Sequence, residues 1–192
     1  MHMRKIMIVI LLAVGIVQAE EKSEAPEISR KMHTLQVNPL GPLLGSYAID
    51  YELLLGQKHG VSLDLLYATG KDLGGNKLDG HGFTLSYRRH LQGRMESNFV
   101  GLFFRRSELD GDLKVDDERF SYHYRSLAIG PLYGERHIWK NGMCWTWKIG
   151  YGYPIFDFEW TSDRRPKHHG LIRGIMKWTT NIEAGASIGF AF

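Results

Sequence analysis

Between residues 178 and 192, apolar side chains occupy every second position, and mostly small or polar side chains stand between them. Because successive side chains of a β-strand point to opposite faces, this period of two predicts a strand with one apolar face. Two less regular segments are also read as strands: 34–44, which contains Pro39 and Pro42, and 95–106, which is apolar on both faces at its centre. Together with five further alternating segments, they predict an all-β chain of eight strands. The five are 47–55, 61–68, 83–88, 120–125 and 145–153.

The predicted connections between these strands alternate in length. An even number of strands, joined by short periplasmic turns and longer outer loops, is typical of bacterial outer-membrane barrels. We therefore predict an eight-stranded antiparallel up-and-down transmembrane β-barrel with both chain ends in the periplasm. Short turns are expected at 56–60, 91–94 and 136–142, and longer polar loops at 70–82, 107–119 and 157–174.

The apolar face of the predicted strands is too bulky to lie inside such a barrel. The bore of an eight-stranded barrel is just wide enough to be filled by side chains, and this face carries many aromatic residues, among them Trp145, Trp147, Tyr122 and Tyr124. The opposite face is rich in Gly, Ser and Ala, which leave room inside a narrow barrel. We therefore expect the aromatic face to contact lipid. The alternative is a soluble periplasmic ligand-binding barrel with the aromatic face inward.

The N-terminus has the composition of a secretory leader. Arg4 and Lys5 precede an apolar run over 6–17, and Ala19 follows at a position that suits signal peptidase. This run is shorter than the roughly 20 apolar residues of a membrane-spanning helix. The chain is therefore expected to reach the bacterial outer membrane by secretion. The predicted divisions are a cleaved signal peptide over 1–19, a flexible periplasmic lead-in over 20–31 and the barrel over 32–192.

Charge and cysteine content exclude two classes of protein. Loss of Arg4 and Lys5 with the leader leaves 22 basic residues against 21 acidic ones, a net charge of +1. This balance gives no electrostatic footprint for nucleic acid. Cys144 is the only cysteine, so an intramolecular disulfide framework is impossible.

Eight charged or titratable residues fall on the polar face of the predicted strands. If this face points inward, opposite charges share a narrow space, and they must pair because an unpaired buried charge is costly. We predict a plug of ion pairs that closes the bore; the alternative is a gate or a proton path. The eight residues are Asp50, Glu52, Asp64, Arg88, His123, Arg125, Lys148 and Glu183.

No catalytic constellation is recognisable. The sequence has no strand-bound Gly-x-Ser-x-Gly, no phosphate-binding glycine loop and no Cys/His metal set. His123 and Ser126 are three positions apart, which puts them on opposite faces of a regular strand. We therefore predict no catalytic residues, no metal and no cofactor, and a structural or surface-interaction protein that acts through its outer loops. A lipid A-modifying enzyme and a small channel are the alternatives.

A basic cluster lies in the last predicted outer loop. At the outer surface of the membrane, such a cluster could contact the phosphates of lipopolysaccharide. The alternative is an ordinary exposed polar loop. The cluster consists of Arg164, Arg165, Lys167, His168 and His169.

The two ends of the predicted barrel carry resemblances. The last strand, which ends in Phe190 and Phe192, resembles the C-terminal signal strand of outer-membrane barrels, and this implies recognition by the barrel-assembly machinery. The segment from Gln36 to Gly45 contains Asn-Pro-Leu-Gly and precedes Tyr51-Glu52. It resembles the opening of an uncharacterised family of small outer-membrane barrels. That resemblance implies contact with outer-membrane lipids and lipopolysaccharide, and no known catalytic residue.

Overall fold

The computed structural model describes residues 31–70, 76–115, 118–161, 170–171, 174 and 181–192. Within these ranges the structure has one antiparallel sheet and a 3₁₀ turn, Gly41–Leu44, and residues 170, 171 and 174 are helical. Among the described residues, no helix combines the length and the apolar character needed to cross a membrane. The strands are β1 (His33–Val37), β2 (Ser46–Leu55), β3 (His59–Ala68), β4 (Leu78–His90), β5 (Asn98–Val115), β6 (Glu118–Ile138), β7 (Met143–Tyr151), β8 (Tyr153–Trp160) and β9 (Ile182–Ala191).

The sheet closes on itself. Consecutive strands from β1 to β7 pair side by side, β7 pairs with β9, and β9 pairs with β1. β7 and β8 lie against β6 in one continuous register, since Leu132 faces Gly150 and Ile129 faces Tyr153. They are therefore two segments of one strand, interrupted at Gly152. The result is a closed eight-stranded antiparallel barrel, which confirms the predicted fold class.

The first connection begins earlier than the sequence predicted. The side-chain oxygen of Asn38 accepts hydrogen bonds from the backbone nitrogens of Leu40 at 2.9 Å and Gly41 at 3.2 Å. This turn and the short 3₁₀ segment after it end at Gly45, whose φ of 69° is in the left-handed region that glycine tolerates. The strand predicted over 34–44 therefore stops at Val37.

The strands differ in length around the barrel. β2 and β3 have ten residues each. At about 3.4 Å per residue and a tilt of roughly 40°, ten residues rise about 25 Å along the axis, which matches the apolar band of outer-membrane barrels. β5 and β6 have 18 and 21 residues. One side of the wall is therefore taller, because the β5–β6 hairpin projects from it. We call the end of the barrel from which this hairpin projects the hairpin end. We call the opposite end, where β1 begins and β9 ends, the terminal end.

The polar loop predicted over 107–119 is instead part of the β5–β6 hairpin. Strand pairing continues through it, with Leu109 opposite Tyr124 and Leu113 opposite Phe120. The acidic residues of this segment alternate along the strand with these inward side chains. The polarity of the segment therefore belongs to the outer face of a strand and not to a loop. The predicted loops over 70–82 and 157–174 are shortened in the same way, because β4 begins at Leu78 and β8 runs to Trp160.

The two faces of β6 are reversed with respect to the prediction. Tyr122 and Tyr124 are buried, with 8% and 6% of their surface exposed, whereas Arg125 is exposed. β6 is one uninterrupted strand, so the inward positions of Leu132 and Arg136 fix the face of every second residue along it. The short predicted segment over 120–125 did not reach these residues, and its orientation was therefore wrong.

The outer surface of the barrel is apolar over most of its height. Its large hydrophobic side chains stand on eight different strands, and their exposure is the reverse of that in a water-soluble barrel. The face assignment predicted for β2, β3, β4, β7 and β9 is confirmed. Exposed examples are Leu35, Val37, Tyr47, Ile49, Leu63, Leu65, Tyr67, Leu85, Leu102, Ile129, Ile149, Tyr151 and Phe190.

Glycines make room for the aromatic rings inside the wall. A Cβ atom at Gly134 would collide with the ring of Phe99, and one at Gly150 or Gly152 would meet the ring of Phe103 at 3.0 or 2.9 Å. Both phenylalanines are almost fully buried. The small residues of the polar face therefore serve the packing of a narrow bore.

Candidate functional site

Arg88 lies at the centre of a buried network of ion pairs. Its Nη1 atom donates to Glu52 Oε2 at 2.5 Å, and its Nη2 atom donates to Asp50 Oδ2 at 3.0 Å. The guanidinium carbon lies 4.9 Å from the centre of the Phe99 ring, which adds a cation–π contact. The carboxylates belong to β2 and the arginine to β4, and β3 lies between these two strands. The side chains therefore meet inside the bore, over the inner face of β3.

Gly60 of β3 provides the space for this crossing. A Cβ atom at this position would collide with the carboxylate of Glu52 and would lie 3.3 Å from Nε2 of His90. Glu52 and His90 are therefore able to meet over a residue that has no side chain. Their atoms Oε1 and Nε2 are 2.7 Å apart.

Glu52 joins strands on opposite sides of the bore. Besides Arg88, its Oε2 atom accepts a hydrogen bond of 2.8 Å from Nη2 of Arg136 on β6. The Nε atom of Arg136 donates to Thr146 of β7 at 2.8 Å. These side chains are fully buried, so the network ties β2, β4, β6 and β7 together through the middle of the barrel.

Lys148 forms a second cluster closer to the hairpin end. Its Nζ atom lies 2.7 Å from Asp64 Oδ2, 3.3 Å from Glu183 Oε1 and 3.6 Å from Asp50 Oδ2. Arg105 donates to Glu183 Oε2 at 3.0 Å. Asp50, which contacts both Arg88 and Lys148, links the two clusters into one network.

The charges of this network balance. Burial of a charge is costly unless an opposite charge and hydrogen bonds compensate it. Here four carboxylates meet four basic side chains, and every one of the eight has a partner within 4 Å. The carboxylates are those of Asp50, Glu52, Asp64 and Glu183, and the bases are Arg88, Arg105, Arg136 and Lys148.

An apolar plug closes the bore at the terminal end. Leu54, Ile138, Cys144 and Ala191 pack around Met95, which is fully buried. Met95 belongs to the connection between β4 and β5, where the sequence had predicted a turn followed by a strand. Its sulfur accepts a hydrogen bond of 2.8 Å from Nη1 of Arg136, so the plug and the ion-pair network are continuous.

A cavity of about 170 Å³ lies on the other side of the Lys148 cluster. A cavity needs only about 10–15 Å³ of such volume to hold a water molecule, so this cavity has room for water. Its wall is polar on the side of the network and includes small hydroxyl side chains. Among the lining residues are Asn38, Asp50, Asp64, Thr84, Arg105, Ser107, Lys148, Glu183 and Ser187.

The structure brings together six of the eight residues predicted for the interior network. The two exceptions, His123 and Arg125, lie on the outer face of the hairpin. There Nδ1 of His123 is 2.7 Å from Asp110 Oδ1, and Nη2 of Arg125 is 3.1 Å from Glu108 Oε1. The reversed face of β6 is the reason for this correction.

The other predicted contact residues are either exposed or not described. Phe190 and Phe192 stand on the outside of the barrel, with 57% and 62% of their surface exposed. The five residues of the predicted lipopolysaccharide-contacting loop lie outside the described residues. They are Arg164, Arg165, Lys167, His168 and His169.

Three members of the network were missed by the sequence analysis. His90 stands two positions after Arg88, and the same period of two that placed Arg88 inward would have placed it there as well. Arg136 was assigned to a turn, although β6 continues to Ile138. Arg105 belongs to the segment whose two faces are both apolar, so its direction was not readable.

The described residues bring one serine, one histidine and one carboxylate together inside the bore. Ser97 Oγ lies 2.8 Å from Nδ1 of His90, whose Nε2 atom lies 2.7 Å from Glu52 Oε1, and all three side chains are buried.

Among the described residues, no group of three or more His, Cys, Asp or Glu side chains is placed to hold a metal ion. His123 points outward, whereas Ser126 is buried and accepts a hydrogen bond of 2.7 Å from the hydroxyl of Tyr124. These two residues therefore do not form a nucleophile and base.

One comparison with known proteins decides the family. The model of a family described as "Protein of unknown function (DUF3575)" matches residues 6–192 of the chain. The chain belongs to the DUF3575 family. No curated protein matches this DUF3575 chain. The membership agrees with the small uncharacterised barrel family that the sequence resembles, and it assigns no activity to the interior network.

Proposed function

We propose that this DUF3575 protein is a non-enzymatic β-barrel of the bacterial outer membrane. The observation that carries the proposal is the inverted distribution of side chains, with apolar residues exposed around the wall and paired charges inside. In water this outer surface would be a large aggregation-prone patch, whereas in a bilayer it is the expected lipid contact. The soluble ligand-binding barrel requires the opposite arrangement.

The route to this location follows from the leader and the last strand. A cleaved signal peptide over 1–19 delivers the chain to the periplasm. The outward apolar residues of β9, with Phe190 and Phe192 at its end, supply the signal for the barrel-assembly machinery. The terminal end of the barrel then faces the periplasm, and the hairpin end faces outward.

The task of the protein lies at the hairpin end. The bore is filled by the ion-pair network and the Met95 plug, so solute passage is not its role. The extended β5–β6 hairpin is presented outside the membrane, where it contacts lipopolysaccharide or a surface partner. The sequence predicts that the basic residues at 164–169 belong to the last outer loop and take part in this contact. The protein uses no cofactor and binds no nucleic acid.

A heat-shift gel on the outer-membrane fraction tests the location. Folded outer-membrane barrels stay folded in detergent below their unfolding temperature, because a closed sheet has no free edge and all its backbone hydrogen bonds are made within the barrel. We expect unheated and boiled samples to migrate differently, and the band to be in the outer-membrane fraction. Recovery in the periplasmic soluble fraction without a shift would contradict the proposal.

Mass spectrometry of lipid A tests the proposal that the protein does not modify this lipid. We expect identical lipid A spectra from cells with and without the gene. A species that appears only when the wild-type gene is expressed would identify an enzyme. Variants of the interior network that remain folded would then show whether these residues carry the activity.

A further inference from the structure

Arg106 stands at the boundary between the apolar band and the polar hairpin. Its neighbours Arg105 and Ser107 line the interior cavity, so Arg106 points to the outside of the barrel, where it is exposed. Its cross-strand partners are Phe83 on β4 and Leu127 on β6. The arginine is therefore set between two apolar side chains.

The rows of side chains on either side of Arg106 define this boundary. The row nearer the terminal end consists of Leu85, Phe104 and Ile129, and it is entirely apolar. The row nearer the hairpin end consists of His81, Glu108 and Arg125. A long arginine side chain at such a position directs its charge towards the polar side while its stem covers apolar surface.

The carboxylates closest to Arg106 in the sequence already pair with other basic side chains. Glu108 accepts hydrogen bonds of 3.2 and 3.1 Å from Nε and Nη2 of Arg125, and it lies 3.7 Å from Nε2 of His123. Asp110 is 2.7 Å from Nδ1 of His123. Within the described part of the chain, Arg106 has no ion pair. A cation thus remains without a counter-charge where the solvent changes from hydrocarbon to water.

We propose that Arg106 binds a phosphate group of an outer-leaflet lipid. A guanidinium group matches phosphate oxygens with two parallel hydrogen bonds, and a lipid phosphate lies at the depth where the apolar band ends. His81 stands in the next row towards the hairpin end and offers a further ring N–H donor to an anion, whereas Arg125 is already paired with Glu108. This inference rests on the proposed membrane location and names one lipid group for the hairpin end.

The test uses the refolded full chain in dodecyl maltoside, a detergent without phosphate. Unfolding midpoints are measured by heat-shift gel with and without diphosphoryl lipid A. We expect lipid A to raise the midpoint of the wild type, and Arg106→Gln to lose at least half of that rise. Arg119→Gln is the matched control, because it removes the same charge from the same hairpin beyond the boundary and should retain the full rise.

Two further arms keep the proposal open to contradiction. Arg106→Lys keeps the charge without the two-pronged donor geometry and should show an intermediate rise, which also serves if Arg106→Gln does not fold. Inorganic phosphate at the same concentration should have no effect; an equal rise would identify free phosphate as the ligand instead of a lipid. An unchanged rise in Arg106→Gln would overturn the site. Absence of any heat shift in the wild type would contradict the membrane location itself.

Discussion

Charged residues of the interior pair with opposite charges, so the contribution of each residue to stability depends on its partners. Glu52 has three positively charged or hydrogen-bonding neighbours, Arg88, His90 and Arg136, and none of these four side chains contacts solvent. Removal of one member leaves the others buried without compensation. Such a network is therefore sensitive to single substitutions even where its total contribution to stability is small.

Replacement of Arg88 by methionine should destabilise the barrel strongly. It leaves Glu52 and Asp50 with fewer partners, and breaking a buried ion pair costs about 3–5 kcal/mol. Urea unfolding of the refolded protein in micelles measures the free energy. Arg89→Met on the same strand is the control, since Arg89 points outward and is exposed. Equal effects of the two substitutions would contradict the role of the network.

Replacement of Gly60 by alanine should also destabilise the protein. The added methyl group collides with the carboxylate of Glu52, and overpacking of this kind costs about 1–3 kcal/mol. Gly185→Ala is the matched control on an interior strand position, because its nearest neighbour, Cε of Lys148, would lie at an ordinary 3.6 Å. We expect a lower unfolding midpoint for Gly60→Ala alone.

At the level of secondary structure, the end of the β5–β6 hairpin extends beyond the closed part of the barrel. β4 pairs with β5 as far as Gly111, and β8 pairs with β6 as far as Tyr122. Beyond these positions the hairpin has no strand beside it among the described residues. Closure of the sheet therefore does not depend on the end of the hairpin.

Shortening this hairpin should leave the barrel intact. Replacement of residues 113–120 by Asn-Gly, which favours a two-residue turn, removes the end of the hairpin, including Phe120, which contacts Trp160. We expect the shortened protein to keep its heat shift and its outer-membrane location. If the hairpin carries the surface interaction, binding or envelope integrity is lost at the same time. Loss of the heat shift would instead show that the hairpin is needed for folding.

For the whole molecule, the plug and the network predict a closed bore. In planar bilayers we expect no conductance steps from the wild type once its insertion has been verified. The triple variant Met95→Gly/Arg136→Ala/Ile138→Ala removes volume from both the plug and the network and should give steps, whereas Leu102→Ala on the outer face should not. Steps in the wild type would show that water and ions pass the network, and would support the channel alternative.

The sequence determined the class of fold because strand formation leaves a local signature. Alternation on β2, β3, β4, β7 and β9 fixed both the strands and their outward faces, since the side chains of one face share one environment. The same signature placed Asp50, Glu52, Asp64, Arg88, Lys148 and Glu183 on one face. This alternation did not predict which residues pair across the bore, because a period of two says which way a side chain points and not which side chain it contacts.

Only the tertiary structure decided the remaining features. The orientation of Tyr122, His123 and Arg125 follows from the full length of β6, and the inward turn of Met95 follows from the space at the end of the bore. Arg105 and Arg136 became part of the network because closure of the barrel brings β5 and β6 opposite β9 and β2. Pairing across the bore joins residues 84 or more positions apart, and contacts at such separations leave no periodic trace in the sequence.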